Sequence, residues 1–387
     1  MIDENLRQYA TERQWEYYLA VEEHGSGRKA AEVFGVNKSV LNRSLAALRR
    51  NAAIHGYAPA QDMTHGAPDG MKSAGTSTLY DMATGDAKIQ WVKFQADKER
   101  QEEIFRETVA ALSEEIPPAK PIPGPDKTNS NLMAGYPVGD HHFGMYSWAE
   151  EAGRDWDLKI AERALSGAYD YLINTLPSCD QATIVLLGDL FHYDSFVTET
   201  PTSKNQLDAD SRYPMMVRAV IRSTRQMIDK ALLRHGELHI IVEIGNHDLS
   251  NSVFLMECLS ALYEKEPRVT VDTSPRHFHY FTFGKTLVGI HHGHGVKLDK
   301  LPLIMAADRP KDWGETKYRY WWTGHIHTDT MKDFVGCRVE SFRVLPPEDA
   351  WAANKGYRSM SDMKAIVLHK EFGEVARHTV NPAMLDG

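Results

Sequence analysis

"WWTGHIHTD", Trp321 to Asp329, is the stretch that decides how this chain is read. A strand-like apolar run ends in Gly-His-x-His. On an extended backbone, side chains two residues apart share a face, so His325 and His327 are expected to reach a common object. Gly324, just before them, lets the chain bend and lets a ligand approach the backbone closely.

Four other apolar runs end in the same style. "AGYPVG" leads into Asp140-His141-His142, "ATIVLLG" into Asp189-Leu190-Phe191-His192, and "LHIIVEIG" into Asn246-His247-Asp248. "TLVGIHH" closes on His291-His292, followed by Gly293-His294-Gly295. Longer amphipathic segments over 157–176, 211–236 and 252–265 read as helices. Short apolar runs alternating with helices predict an α/β domain from about residue 132. In such domains ligands bind beyond the carboxyl ends of the strands. Asp, Asn and His delivered by five strand ends to one rim are what a polynuclear metal site needs.

Carboxylate, amide oxygen and imidazole without thiolate suit borderline or hard divalent ions: Mn first, with Fe, Zn, Ni or Mg as alternatives. The donors suffice for two ions. Asp189 is placed to bridge them. Asp140, His142 and His327 would complete one ion, and Asn246, His292 and His325 the other. Such a centre is positively charged and suited to phosphate oxygens, and two adjacent metals can activate a bridging water as hydroxide.

The ordered set D-x-H, GD, GNHD, H-G and GHxH, over roughly residues 134–330, resembles the calcineurin-like metallophosphoesterase superfamily. The resemblance implies a four-layer βαββαβ sandwich and phosphate-ester hydrolysis. It implies metal ligation by Asp140, His142, Asp189, Asn246, His292, His325 and His327. It makes His247 the group that steadies the transition state or protonates the leaving oxygen, with Asp248 orienting it. A carboxylate beside an imidazole can fix its tautomer and raise its pKa. In "HHGHG", His292 and His294 both precede a glycine; alternation favours His292, and His291 and His141 read as structural neighbours. "GDLFH" resembles DNA double-strand-break repair nucleases, including phage-encoded ones, whose histidine at this place assists backbone cleavage. His192 is then either a cleavage residue or a partner that supports Asp189 from behind.

The amino-terminal region offers independent evidence. "GRKAAEVFGVNKSVLNRSLAALRR" reads as helix, turn at Gly35, helix, and resembles a helix-turn-helix. Its packing positions are read as Ala30, Ala31, Val33, Phe34, Val36, Val40 and Leu45. Between Gly25 and Gly56 six Lys/Arg stand against one acid, Glu32. Lys38, Asn42, Arg43, Arg49 and Arg50 are the candidate DNA contacts, and a protein interface is the alternative use of the same helices.

The three parts are therefore 1–56, an all-α helix-turn-helix domain; 57–131, a hairpin, a charged helix and a Pro-rich linker; and 132–387, the phosphoesterase domain with a C-terminal cap. The hairpin is expected in "LYDMATGDAKIQWVKF" with its turn near Thr84-Gly85-Asp86. The helix follows in "QADKERQEEIFRETVAALSEE", and the five prolines from Pro117 to Pro125 favour an extended linker. Trp351, Lys355, Tyr357 and Arg358 either stack bases and hold a strand or belong to the packed cap.

Composition bounds the rest. The chain has 387 residues, 42% hydrophobic, a net charge of -9, 18 histidines and three scattered cysteines, Cys179, Cys258 and Cys337. That excludes a basic coat over the whole protein, a disulfide framework and a thiolate zinc site. No apolar run is long enough for a membrane span, and the N-terminus lacks a secretory pattern, so a cytoplasmic location is expected. The expected function is a metal-dependent DNA exonuclease or endonuclease, with DNA as partner. The alternatives are a phosphomonoesterase, a cyclic-nucleotide phosphodiesterase or a non-catalytic DNA-binding regulator. The repair nucleases it resembles act as homodimers beside a separate ATPase.

Overall fold

The computed structural model describes residues 2–59, 63–64, 71–80, 87–96, 121–201, 203–348, 356 and 358–385. The chain divides into two compact units, Met1–Ala111 and Leu112–Gly387.

In the first unit three helices pack on one another: α1 (Glu12–His24), α2 (Gly27–Val33) and α3 (Lys38–Ile54). Thr11 and Gln14 form a reciprocal cap at the start of α1, and the Asn37 side chain caps α3 by accepting from Ser39 N. The core is Trp15, Tyr17, Tyr18, Ala30, Ala31, Leu41, Leu45 and Leu48 with their neighbours. The expected packing set is corrected here. Val33 is 62% and Val40 47% exposed, and Leu41, Leu45, Leu48 and Ala52 form the buried stripe instead. These positions follow the helical spacing that a pairing of Val40 with Leu45 breaks. Lys38, Asn42, Arg43, Arg49 and Arg50 are all exposed. Strands β1 (Tyr57–Ala58) and β2 (Met63–Thr64) pair, as do β3 (Met71–Tyr80) and β4 (Ala87–Ala96), the second pair antiparallel in the place expected for the hairpin. Its turn at Thr84-Gly85-Asp86, the charged helix beyond Ala96 and the linker as far as Lys120 lie outside the described residues.

The second unit is the expected α/β sandwich. Its larger sheet contains β5 (Asn129–Val138), β6 (Cys179–Leu186), β7 (Glu237–Val242) and β8 (Val269–Val271), all parallel. Its smaller sheet contains β9 (His279–Phe283), β10 (Thr286–Ile290), β11 (Tyr318–Thr323), β12 (Thr330–Phe334) and β13 (Cys337–Ser341) in the order β12-β13-β11-β10-β9. Strands β14 (Met363–His369) and β15 (Gly373–Val380) extend the larger sheet to the order β15-β14-β5-β6-β7-β8. Of the stretch expected as a C-terminal cap, 348–367, residues 349–355 and 357 lie outside the described residues, and Met363–Val367 belong to β14, an inner strand of the larger sheet.

Alternation along each strand builds the layers. Met133, Val185, Leu187 and Ile366 of the larger sheet meet Val288, Ile290, Trp322 and Phe342 of the smaller one. Gly135 makes room for this: a Cβ there would lie 2.5 Å from the Trp322 ring. Ala134, Tyr136, Ile184 and Ile240 face the other way, toward helices α4 (Leu158–Thr175), α5 (Tyr213–Arg234) and α6 (Leu249–Leu262). Trp321, one residue before Trp322, faces out with Leu287 and Val339 against α7 (Leu301–Asp308). The order helix, sheet, sheet, helix leaves the carboxyl ends of β5, β6, β7, β10 and β11 free to carry loops. Among the described residues no helix is long and apolar enough to cross a membrane.

Candidate metal centre

The five loops that leave those strand ends converge. Asp140 N donates to Gly188 O (3.1 Å), His142 N to Asp189 O (3.1 Å), and Gly324 N to His292 O (2.8 Å). Tight turns are needed to aim side chains from loops this short. Asp140, His142, Asp189, His325 and His327 all adopt left-handed backbone, with φ of 43, 47, 52, 70 and 52°. This corrects the alternation reading of Gly-His-x-His. The strand ends at Thr323, and the two histidines leave a bent loop toward different groups. Gly324 is required for another reason as well: a Cβ there would run into the Asp140 carboxylate.

Three donor groups result, two of them with a carboxylate. Asp140, His142 and His327 form the first, Asp189, His292 and His325 the second, and His142, His192 and His247 an all-imidazole third that shares His142 with the first. In the first, His327 Nε2 lies 3.2 Å from Asp140 Oδ1 and 3.4 Å from His142 Nε2. In the second, His292 Nε2 lies 3.2 Å from Asp189 Oδ2 and 3.1 Å from Asn246 Oδ1. Donors about 2.1 Å from one ion in tetrahedral array stand roughly 3.4 Å apart, and less in octahedral array. The observed spacings fit that geometry. Facing ring nitrogens that can share at most one proton fit it too. His292 Nε2 is also 3.9 Å from Asp140 Oδ1, so the two groups adjoin. Asp189 belongs to the second group, and Oδ1 of its carboxylate accepts from His247 N (2.8 Å).

Behind these donors, other contacts fix their orientation. His292 Nδ1 donates to Leu187 O (2.7 Å), which directs its Nε2 lone pair to the centre. His325 N donates to both Asp140 oxygens, at 3.0 and 2.8 Å. His192 Nδ1 lies 3.3 Å from His142 Nδ1, so His192 backs His142 and not, as the sequence suggested, Asp189. It also stacks on His247 with centroids 5.6 Å apart. Buried Lys364 spans Asp329 (2.9 Å) and Asp362 (3.1 Å), tying the loop that follows His327 to β14.

His247 Nδ1 donates to His192 O (2.8 Å), leaving Nε2 as the working nitrogen. The expectation that Asp248 orients His247 is corrected. Asp248 is fully buried, and its carboxylate accepts from four backbone amides: Asp189 N (3.2 Å), Leu190 N (2.8 Å), Phe191 N (3.2 Å) and Gly245 N (3.0 Å). It clamps the GD loop to the GNHD loop. His141 is structural, with Nε2 on Ala161 O (2.9 Å), and so is His291, which stacks on Phe278. His294 has its ring 5.2 Å from that of His292 but falls in none of the three donor groups.

The electrostatics follow from burial among like and unlike charges. Burial opposes the charge on His292, but Asp189 and Asp140 outweigh it and push the imidazole up to about 10. Burial likewise opposes His327, and Asp140 raises it. Burial would raise Asp189, yet His292 holds its carboxyl well below the usual range. Burial, then His247, lowers His142; the same pair lowers His192 to about 3. The acids and imidazoles thus hold protons between them where cations would otherwise sit.

A cavity of about 580 Å³ opens over the centre, lined by His142, Asp189, His192, Asn246, His247, His325 and His327. Its far wall is Val344, Pro346, Pro347, Glu348, Arg358 and Met360. Of this wall the sequence singled out only Arg358; Trp351, Lys355 and Tyr357 lie outside the described residues. Nothing in the local pattern near 344–348 marks it, because its place depends on the return of β14 into the sheet. Lys38, Asn42, Arg43, Arg49 and Arg50 belong to the other unit. Cys179, Cys258 and Cys337 are free thiols.

No protein-family model matches the chain, and the search of curated proteins returns no match. Among solved structures, it is similar to an archaeal phosphodiesterase at 14% identity and TM-score 0.34, over 64% of this chain and 100% of that one. It is similar to YfcE, a phosphoesterase from E. coli, at 14% identity and TM-score 0.30, over 64% and 100%. A predicted phosphoesterase from Streptococcus pneumoniae matches at 10% identity and TM-score 0.27, over 65% and 99%. At identities and TM-scores this low, what the site can do rests on its own geometry.

Proposed function

We propose that this chain is a two-metal phosphodiesterase that hydrolyses the DNA backbone. The observation that carries the reading is the pair of adjoining donor groups, with ligand atoms 3.1–3.4 Å apart, at the floor of a cavity lined by His247. Asp140, His142 and His327 would hold one ion, and Asn246, His292 and His325 the other, with Asp189 between them. The donor chemistry makes manganese the first ion to test. When bound, the ions supply Lewis-acid stabilisation of the phosphate and lower the pKa of the attacking water.

The chain's own residues do the rest. The rim fixes the phosphate so that water and leaving oxygen lie in line. As the water oxygen bonds to phosphorus, its proton passes to solvent and the P–O bond to the leaving group breaks. His247, with Nδ1 held by His192 O, presents Nε2 to that leaving oxygen and supplies its proton. DNA as the substrate is supported by the amino-terminal unit, where α3 exposes Lys38, Asn42, Arg43, Arg49 and Arg50. A homodimer and a separate ATPase partner are part of the same proposal.

The test is incubation of the manganese-loaded chain with linear DNA and, separately, with 4-nitrophenyl phosphate. DNA is expected to be cleaved, and Asp189→Asn to lose at least about 1,000-fold in rate while DNA binding by the amino-terminal unit persists. Turnover of the monoester alone would establish a phosphomonoesterase in its place, a reading that the size of the cavity also admits.

A further inference from the structure

His142 is flanked by imidazole nitrogens on both sides. Its Nε2 faces His327 Nε2 (3.4 Å) within the first donor group, and its Nδ1 faces His192 Nδ1 (3.3 Å) within the third. One ring nitrogen each of His142, His192 and His247 lies within 4.8 Å of the others. The His142 ring is 5.2 Å from that of His192 and 4.8 Å from that of His247, and those two are 5.6 Å apart. Imidazoles with centroids about 3.2 Å from a shared ion in tetrahedral array stand roughly 5.2 Å apart. The His142 ring stands across its two partners, at 86° and 75°, while the His192 and His247 rings are within 21° of parallel. His247 Nδ1 is taken by His192 O, so Nε2 is its free nitrogen. All three side chains line the cavity, which gives an ion a way in.

The chemistry of this group differs from that of the other two. It has no carboxylate of its own; the acid whose charge reaches both His142 and His192 is Asp189. Nitrogen donors without oxygen disfavour manganese and magnesium and suit zinc, nickel or copper. Three imidazoles with a fourth position open are a known zinc set. Sharing His142 then forces a choice. A neutral imidazole has one lone pair and one N–H. When Nε2 serves an ion of the first group, Nδ1–H donates to His192 Nδ1. When Nδ1 serves an ion of the third, the proton resides on Nε2, beside His327. The same histidine cannot serve both without losing its last proton.

We propose that His142, His192 and His247 form a separate zinc site that competes with the first donor group and switches the centre off. Its ligands are His142 Nδ1, His192 Nδ1 and His247 Nε2. Zinc there withdraws His142 from the first ion and His247 from the leaving oxygen. Manganese and zinc thereby select opposite tautomers of one imidazole. The loss of activity rests on the phosphodiesterase reading above; the zinc position does not.

The test has two arms. In the first, crystals of the full wild-type chain are grown with excess manganese and one equivalent of zinc, and anomalous scattering at the zinc edge locates the zinc. A peak among the three imidazoles is expected. Zinc confined to the two carboxylate-bearing groups, or no zinc peak, overturns the site whatever the enzyme does. In the second arm, zinc is titrated into the manganese-loaded chain turning over bis(4-nitrophenyl) phosphate. One equivalent is expected to lower kcat at least about tenfold with KM within about twofold. His192→Asn keeps an oxygen that can accept from His142 Nδ1–H but removes a nitrogen ligand. Measured against its own manganese rate, this variant is expected to need about 30-fold more zinc for the same inhibition. Equal zinc sensitivity of wild type and His192→Asn overturns the switch. A manganese-loaded chain that does not turn over the diester overturns the phosphodiesterase reading and with it the switch, and the zinc position is still decided by the first arm.

Discussion

Replacing Asp248 by Asn separates two roles that a carboxylate beside a working histidine can have. The Asp248 carboxylate accepts from four amides, of Asp189, Leu190, Phe191 and Gly245, at 2.8–3.2 Å, in a fully buried position. In Asn one oxygen remains for two of those amides, and the side-chain NH2 meets the other two donor to donor. Stranding buried N–H groups costs about 1–3 kcal/mol each and is not additive, so about 3 kcal/mol is expected for Asn and about 4 kcal/mol for Ala. At about 2–4 °C per kcal/mol for a domain of this size, the Ala variant melts roughly 8–16 °C lower. The assay is calorimetric melting of the metal-free chain, with the pH profile of kcat measured alongside. An orienting carboxylate would behave otherwise: Asn would leave the fold intact and cut the rate by orders of magnitude through the wrong tautomer. A melting point within about 2 °C of wild type together with a collapsed kcat refutes the clamp and restores Asp248 as the partner of His247.

Three further outcomes are expected. Gly324→Ala should displace the Asp140 carboxylate, so metal analysis is expected to find one equivalent or fewer of bound ion against the two proposed for wild type; an occupancy equal to wild type counts against the close approach seen here. His192→Ala should weaken metal affinity about 10–100-fold by releasing His142, measured by chelator competition; unchanged affinity with lost DNA cleavage would return His192 to a direct part in cleavage. The third concerns pH. His292 is raised above its unfolded value of 6.5, to about 10, so in the metal-free chain its stabilisation is complete below pH 6.5 and is lost as pH rises toward 10. Melting of chelated protein should fall from about pH 6.5 to about 9, while loading with metal releases protons and tightens over that range. A chelated chain that gains stability there contradicts the assignment.

Most of the larger unit was legible because parallel strands ending at one rim each carry their own glycine and donor. Asp140, Asp189, Asn246 and His325 could be placed together from order alone. What failed was finer. His325 and His327 were read as one face of a strand, but both stand on left-handed backbone in a bent loop. The destination of Asp248 is set by loops 58 residues apart in the chain, which no local pattern records. In α3 the buried stripe runs through Leu41 and not Val40, a phase that two adjacent apolar residues leave open to sequence reading. The stretch 348–367 read as a cap because a strand partner far back in the chain, β5, decides that its end, Met363–Val367, joins a sheet.

Left-handed backbone at five of the seven candidate ligands bears on how the site should be dissected. An alanine at Asp140 or Asp189 deletes a donor and also replaces a residue that tolerates left-handed backbone with one that pays about 1–2 kcal/mol to stay there. Asparagine tolerates that conformation, so it isolates the loss of charge, whereas glycine removes the side chain and the conformational cost together. A scan of this rim made with alanine alone would blend ligation with conformational cost and overstate how much each residue grips an ion.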